Sequence, residues 1–119
     1  MDNQSIVAEK SFSFAVRIVK LYQYICNNKK EYVLFKQLLR SGTSIGANIQ
    51  EALNGQSKRD FLSKMNIALK EAGETQYWLR LLTATEILTE KESRSILDDC
   101  TELLKMLTSI VKTTSSNLQ

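Results

Sequence analysis

No proline interrupts the 119 residues of this chain, and it contains only four glycines. Inside a helix, proline costs about 3 kcal/mol and glycine about 1 kcal/mol relative to alanine, so this composition permits long continuous helices. Apolar residues recur at helical spacing, and no sustained apolar–polar alternation between turn pairs predicts a strand. The sequence therefore predicts an all-α fold with a single core, which a chain of this length can form without a disulfide or a metal.

Breaks in the apolar pattern divide the chain into four helices. The first is predicted over residues 5–27 and the second over residues 31–53. The third follows Ser57, and the fourth runs from Thr89 to about Lys112. Ser57 and Thr89 are N-cap candidates, because each hydroxyl can accept a hydrogen bond from the backbone three residues later. Short connections favour antiparallel neighbours, so we expect an up-down-up-down four-helix bundle.

The connections and the end of the chain carry polar residues. A glycine stop is expected to end the second helix at Asn54-Gly55. The tail, residues 113–119, is polar and is predicted to fray. We interpret residues 1–119 as one four-helix-bundle domain.

The first helix has a wider apolar face than one core stripe requires. A stripe through Val7, Phe14 and Ile18 predicts the core side. A second apolar row lies beside it and consists of Ala8, Phe12, Ala15, Val19, Tyr22 and Cys26. Either the rest of the bundle covers this second row or a second subunit does.

The middle of the second helix contains two glycines, Gly42 and Gly46. A surface loop would explain them, and so would a close approach of two helices. We favour a continuous helix, because the apolar period resumes in phase at Ile45 and Ile49.

A polar stripe is predicted along the second helix. Arg40, Ser44, Asn48 and Glu51 lie at i, i+4, i+8 and i+11, which places them on one side of the helix. The stripe is either a solvated face or a buried or interfacial hydrogen-bond network that fixes helix register.

Two carboxylates, Glu71 and Glu74, lie in the middle of the third helix. A di-iron bundle would need Glu-x-x-His pairs, and the chain has no histidine. We therefore expect ion pairs with Lys64, Lys70 or Arg40 rather than a metal or acid–base site.

No catalytic site, metal site or cofactor is predicted. The usual nucleophile and acid–base sets are missing, and Cys26 and Cys100 are expected to be reduced core residues. No secretory signal and no run of about 20 apolar residues occurs, so we expect a cytoplasmic protein with no membrane contact.

The stretch that ends the second helix and begins the third resembles a known family. Its pattern, QLxRAxxSIxxNIxEG, is matched by Gln37, Leu38, Arg40, Ser44, Ile45, Asn48, Ile49 and Glu51. The match continues with Ser57, Phe61, Ala68, Glu71 and Glu74. This sequence resembles the four-helix-bundle proteins encoded within intervening sequences of bacterial 23S rRNA genes, over roughly residues 10–112. It departs from the pattern at Ser41, at Ala52 and in a turn with fewer arginines.

The resemblance implies a four-helix bundle and gives little indication of an activity. A related branch, the accessory protein of diversity-generating retroelements, forms a homopentamer. That protein binds nucleic acid and its reverse transcriptase through a basic surface. The resemblance therefore implies a homo-oligomer, suspected to be a pentamer, and by analogy alone a reverse transcriptase as partner.

Two functions follow as hypotheses. In the first, the chain is a non-enzymatic interaction or scaffolding oligomer, in which Arg40, Ser44, Asn48, Glu51, Glu71 and Glu74 are structural.

In the second hypothesis, the chain is an accessory protein that binds RNA or DNA. Residues 1–59 carry nine Lys/Arg and four Asp/Glu, a balance of +5, whereas residues 60–119 carry a balance of −2. The candidate phosphate contacts are Lys10, Arg17, Lys20, Lys29, Lys30, Lys36, Lys58 and Arg59. Arg40 is a further basic residue that this hypothesis includes. No stacking platform of aromatic and basic residues accompanies them.

Overall fold

The computed structural model describes residues 2–118, and these residues form four α-helices. The helices are α1 (Asn3–Asn28), α2 (Val33–Leu53), α3 (Lys58–Ala84) and α4 (Glu90–Asn117), and no strand occurs in this range. Helices that follow one another in the chain pack together, and α1 also packs against α4. Since every connection is short, the neighbours run antiparallel within a bundle of 48 × 25 × 21 Å. The predicted all-α four-helix bundle is confirmed.

Side-chain caps begin three of the four helices. Asp2 accepts a hydrogen bond from the Ser5 amide at 2.8 Å, so α1 starts two residues before its predicted start. Ser57 accepts from the Asp60 amide at 3.0 Å, as predicted for α3. The predicted N-cap at Thr89 is confirmed, and it forms a capping box, because the Glu92 amide donates to Thr89 Oγ1 and the Thr89 amide donates to the Glu92 carboxylate.

The end of α4 differs from the prediction. The helix continues to Asn117, five residues beyond the predicted end at Lys112. Thr114 and Asn117 line a surface groove with Gln4 of α1 and Phe61 of α3. The expected helix end near Lys112 is therefore wrong, because the polar residues after Lys112 include no glycine or proline and continue the helix. Gln119, the last residue of the predicted frayed tail, lies outside the described residues.

The connection between α2 and α3 does not use the left-handed residue that the sequence predicts. Among the described residues, positive φ angles occur at Lys30 (53°) and Glu86 (63°), which lie in the other two connections. The predicted end of α2 at Leu53, just before Asn54-Gly55, is confirmed, but Gly55 does not adopt the positive φ of a left-handed glycine stop. A Cβ atom at Gly55 would lie 2.7 Å from Asp60 Oδ2 and 3.0 Å from the Ala52 carbonyl oxygen. A side chain at this position would crowd the Ala52 carbonyl oxygen, so glycine here relieves packing in the turn and does not supply a left-handed conformation.

The predicted continuous second helix is confirmed, and one of its glycines has a packing role. A Cβ atom at Gly42 would lie 2.9 Å from Ile18 Cγ1 of α1. The absent side chain thus lets α1 and α2 approach closely within the core that contains Phe14, Ile18, Phe35, Leu38 and Ile45.

Candidate interaction surface

An uncharged apolar surface lies between α1 and α2 on the outside of the bundle. We call it the α1–α2 apolar surface and define it as Ala8, Phe12, Ala15, Val16 and Val19 of α1 with Thr43, Gly46, Ala47 and Gln50 of α2. The exposed fraction is 71% for Phe12, 38% for Val16 and 39% for Val19. The described part of the bundle thus leaves Phe12 and Val19 of the second apolar row uncovered.

Helix geometry and small residues together shape this surface. Phe12, Val16 and Val19 are spaced i, i+4 and i+7, so they form one stripe of α1. A Cβ atom at Gly46 would be 3.4 Å from the Ser11 carbonyl oxygen, so the backbones of the two helices lie close there. The small α2 residues leave a groove of about 370 Å³ beside the Phe12 ring. An exposed aromatic ring next to an apolar groove is an arrangement typical of a protein-binding surface.

The predicted polar stripe begins with a clamp between α2 and α3. One guanidinium nitrogen of Arg40 donates to Glu71 at 3.1 Å, and the other donates to Glu74. Trp78 Nε1 donates to the same Glu74 carboxylate at 3.4 Å. The hydrogen bond from Arg40 holds the pKa of Glu74 below its usual value. The expected ion pairing of Glu71 and Glu74 is confirmed for Arg40, whereas Lys64 pairs with another carboxylate.

The remaining residues of the stripe make mostly local contacts. Ser44 Oγ donates to the Arg40 carbonyl oxygen at 2.6 Å, and Asn48 Nδ2 donates to the Ser44 carbonyl oxygen at 2.8 Å. Glu51, which is exposed, pairs with Lys64 of α3 at 3.4 Å. The stripe therefore follows the solvent edge of the α2–α3 contact and is not one buried network. A role for it in contacts between subunits stays a prediction.

A buried hydroxyl pair between α2 and α3 was not predicted from the sequence. The hydroxyl oxygens of Ser41 and Thr75 lie 2.9 Å apart, and both residues are fully buried. Ser41 lies three residues after Leu38 and four before Ile45, which places it in the core register of α2. From that spacing, the burial of Ser41 could have been predicted.

Three of the candidate phosphate contacts form ion pairs between α1 and α4. Lys10 pairs with Glu102 at 2.9 Å, Arg17 with Asp99 at 2.5 Å, and Lys29 with Glu92 at 2.6 Å. The hydrogen bond from Lys29, helped by the backbone of Thr89, lowers the pKa of Glu92 to about 2. These three cations are therefore engaged within the bundle.

Five candidate phosphate contacts make no ion pair within residues 2–118: Lys20, Lys30, Lys36, Lys58 and Arg59. All five are exposed. Lys30 lies in the α1–α2 connection, whereas Lys58 and Arg59 begin α3 at the opposite end of the bundle. The structure thus distributes these charges along the molecule and does not form one compact basic patch from a single chain.

Reactive and metal-binding groups are sparse in the described range. Residues 2–118 hold no group of three or more His, Cys, Asp or Glu side chains arranged to bind a metal ion. Burial raises the pKa of the Cys100 thiol to about 12, which makes it a weak nucleophile. In the same range, no helix combines the length and the apolar character that a membrane span requires.

Comparison with known proteins gives a family and a close structural relative. A crystal structure at 1.70 Å resolution of a protein with unknown function from the S23 ribosomal protein family of Bacteroides thetaiotaomicron has a TM-score of 0.91 to this chain. The two sequences are 56% identical, and the match covers 93% of this chain and 99% of that one. No curated protein matches the chain. Residues 3–109 match the sequence model of the family described as 23S rRNA-intervening sequence protein. This match covers most of the sequence, so the chain belongs to the 23S rRNA-intervening sequence protein family.

Proposed function

We propose that this protein is a non-enzymatic interaction module that works as an assembly of identical chains. The observation that carries the proposal is the α1–α2 apolar surface, on which Phe12 is 71% exposed. Burying apolar area stabilises a complex by roughly 25 cal/mol per Å², so covering this surface favours association. We also propose a cytoplasmic location, where free thiols such as those of Cys26 and Cys100 persist.

A second copy of the chain is the partner that we propose for this surface. Exposed apolar stripes on one helix of a bundle are commonly covered by symmetric association. The number of copies rests on the resemblance to the pentameric accessory proteins, from which we expect five. An assembly of five chains has five times the 13.6 kDa mass of one chain.

Substitution of Phe12 tests this proposal. Phe12→Ser removes the largest exposed apolar side chain of the surface and leaves the core residues unchanged, so we expect a folded chain that associates about 10- to 100-fold more weakly. Tyr77→Ser is the matched control, because Tyr77 is an exposed aromatic residue of α3, 57% exposed and outside this surface. The measurement is molar mass by light scattering over a dilution series, with circular dichroism as the folding check. Equal masses for wild type and Phe12→Ser at every concentration would refute a role of this surface in association.

Nucleic-acid binding is the second candidate, and a specific observation favours it. Five exposed cations have no carboxylate partner within residues 2–118, and symmetry would repeat them in every copy. Many weak phosphate contacts on one assembly can act together. By the same resemblance, a reverse transcriptase is the protein partner that this candidate function proposes.

Binding of a structured RNA at two salt concentrations tests the second candidate. Phosphate contacts predict an affinity that falls steeply as salt rises, and Lys58→Glu with Arg59→Glu is expected to reduce both the affinity and the salt slope. A control charge change at Lys91, which is exposed on α4 beside acidic residues, is expected to have a smaller effect. Absence of binding at low salt by the assembled wild-type protein would exclude this function.

A further inference from the structure

The outer side of α3 carries basic residues that no carboxylate neutralises. Arg59, Lys70 and Arg80 are exposed, and none of them forms an ion pair within residues 2–118. Their spacing along the helix places all three on the same half of its surface, over a length of about 31 Å. The carboxylates of α3 leave this charge in place, because two of them pair with Arg40 and Asp60 lies in the first turn, at the positive end of the helix dipole.

An exposed aromatic ring lies between Lys70 and Arg80. Tyr77 is 57% exposed, and it follows Lys70 by seven residues and precedes Arg80 by three. Its ring packs against the Trp78 ring in a T-shaped arrangement, with centroids 5.3 Å apart and an angle of 73° between the planes. Trp78 in turn donates to Glu74. These contacts restrain the Tyr77 ring on the surface, so it loses little rotamer freedom when a ligand binds.

The residue one turn before Tyr77 is Gly73, which leaves open space beside the ring. Long side chains of a helix lean towards its N-terminus and cover the preceding turn. A Cβ atom at Gly73 would meet no described atom within 4 Å. Glycine in the middle of a helix is destabilising relative to alanine, and no packing contact within the chain explains it here. Locally unfavourable residues of this kind are expected at functional sites.

We propose that the outer side of α3 binds single-stranded nucleic acid, with a base stacked on the Tyr77 ring beside Gly73. The backbone phosphates on either side then contact Lys70 and Arg80. The inference rests on the second candidate function, and it names both the form of the strand and the site that reads it.

Two properties of this surface select the ligand. The unpaired cations favour an anionic partner, and the exposed ring favours one with flat aromatic faces, since bases stack on aromatic side chains regardless of sequence. An acidic peptide supplies the charge without the flat faces. A duplex hides its base faces within the stack, so contact with Tyr77 requires unpaired bases.

An abasic strand separates stacking from phosphate contact. A labelled single strand of about 12 nucleotides supplies bases and phosphates, whereas an abasic strand of the same length supplies phosphates alone. In fluorescence anisotropy at low salt, we expect the wild-type protein to bind the first more tightly. Tyr77→Ser should weaken binding of the base-carrying strand about 5- to 100-fold and leave the abasic strand unaffected. Tyr77→Phe keeps the ring and should retain the wild-type affinity.

Two further variants test the space beside the ring and the charge. Gly73→Leu places a side chain against the Tyr77 ring at i, i+4 spacing, so it should weaken binding of the base-carrying strand about tenfold without lowering the melting temperature. Lys70→Ala should instead weaken binding of both strands and reduce the salt slope by about one. Lys91→Ala on α4 is the matched control for the lost charge.

The outcomes separate this inference from the candidate function on which it rests. Equal effects of Tyr77→Ser on the two strands would overturn the stacking site. Salt-dependent binding of structured RNA through Lys58 and Arg59 would then leave the second candidate function standing. Competition by polyglutamate as strong as that by the single strand would also overturn the stacking site, and would indicate an acidic protein as the occupant. Absence of binding by every nucleic-acid probe at low salt would refute both.

Discussion

At the scale of single residues, two glycines in helices have different surroundings. Gly42 lies where any Cβ atom would meet Ile18 of α1, at 2.9 Å from its Cγ1 atom. Gly73, in the middle of α3, has no atom within 4 Å of the corresponding position among those described. Close helix packing explains the first glycine, and nothing within the single chain explains the second.

Alanine substitutions separate these two roles. Gly42→Ala is expected to lower the free energy of unfolding by about 1–3 kcal/mol, because α1 must move to accommodate the methyl group. Gly73→Ala is expected to raise it by about 0.5–1 kcal/mol, because alanine favours the helix and meets no neighbour. Urea denaturation of both variants measures the difference. Equal destabilisation by the two substitutions would contradict the packing role of Gly42.

The buried hydroxyls of Ser41 and Thr75 give a second prediction at this scale. Thr75→Val keeps the shape of the side chain and removes a hydroxyl that lies 2.9 Å from Ser41 Oγ, so we expect a loss of about 1 kcal/mol. Thr108→Val makes the same change at an exposed site of α4, where the hydroxyl bonds only to its own helix, and should have little effect. Thermal unfolding compares the two variants, and an unchanged Thr75→Val protein would show that the buried pair adds nothing to stability.

Individual side-chain partners were only partly predictable from the sequence. The sequence left Lys64, Lys70 and Arg40 as alternative partners for Glu71 and Glu74, and the structure pairs both carboxylates with Arg40. Spacing also placed Ser44 and Asn48 beside Arg40, yet both bond to their own helix. A side-chain hydroxyl or amide can donate its hydrogen bond to a backbone carbonyl of its own helix. The spacing of residues in the sequence does not distinguish such a local bond from a contact between helices.

At the scale of helices, α1 and α4 make the least extensive contact of the four neighbouring pairs. Three ion pairs bridge them, and the pair between Lys29 and Glu92 is the least exposed of the three. Glu92 also completes the capping box with Thr89 and accepts a hydrogen bond from the Tyr24 hydroxyl. These contacts connect the start of α4 to the end of α1. One carboxylate thus holds two elements of the bundle.

The lowered pKa of Glu92 predicts a pH-dependent contribution to stability. Because its pKa falls from 4.5 to about 2 on folding, the contribution is full above pH 4.5 and is lost as the pH falls towards 2. We expect Glu92→Gln to cost about 1–2 kcal/mol at neutral pH and progressively less as the pH falls below that range. Urea denaturation over this pH range measures the difference from wild type. Glu90→Gln, at an exposed neighbouring carboxylate, is the control, and a pH-independent cost at Glu92 would contradict the assignment.

The two helix starts for which the sequence named a cap were predicted accurately, whereas α1 starts two residues before and α2 two residues after its predicted start. Ser57 and Thr89 carry a side chain that caps the helix, and both starts lie where the sequence indicated. The end of α4 was predicted five residues too early, because the polar run TTSSNLQ was interpreted as a frayed tail although it contains no glycine or proline stop. The conformation of the connections was also hard to predict. Their left-handed residues are Lys30 and Glu86, although asparagine and glycine adopt this conformation more easily.

At the scale of the whole molecule, the central feature is the apolar surface that the fold leaves open. The periodicity of α1 predicted an apolar face wider than one stripe, but it could not show what covers the excess. That outcome depends on where α2 packs against α1. The two glycines permit the close approach, because Gly42 faces the Ile18 side chain and Gly46 faces the Ser11 backbone. The resulting position of α2 leaves Phe12, Val16 and Val19 in contact with solvent.

Salt dependence distinguishes the two candidate functions at this scale. Association through an apolar surface should vary little between low and high salt, because burial of apolar area is not screened by ions. RNA binding through the five unpaired cations should weaken steeply over the same range. Measuring both on one preparation tests them separately, and self-association that disappears at high salt would contradict the apolar mechanism.

The absolute molar mass of the wild-type protein, measured by light scattering over a dilution series, tests the central claim most directly. We predict a defined multiple of 13.6 kDa that persists at high salt and that Phe12→Ser reduces. A mass of one chain at every concentration would contradict the account, since the exposed face of α1 would then need no partner copy.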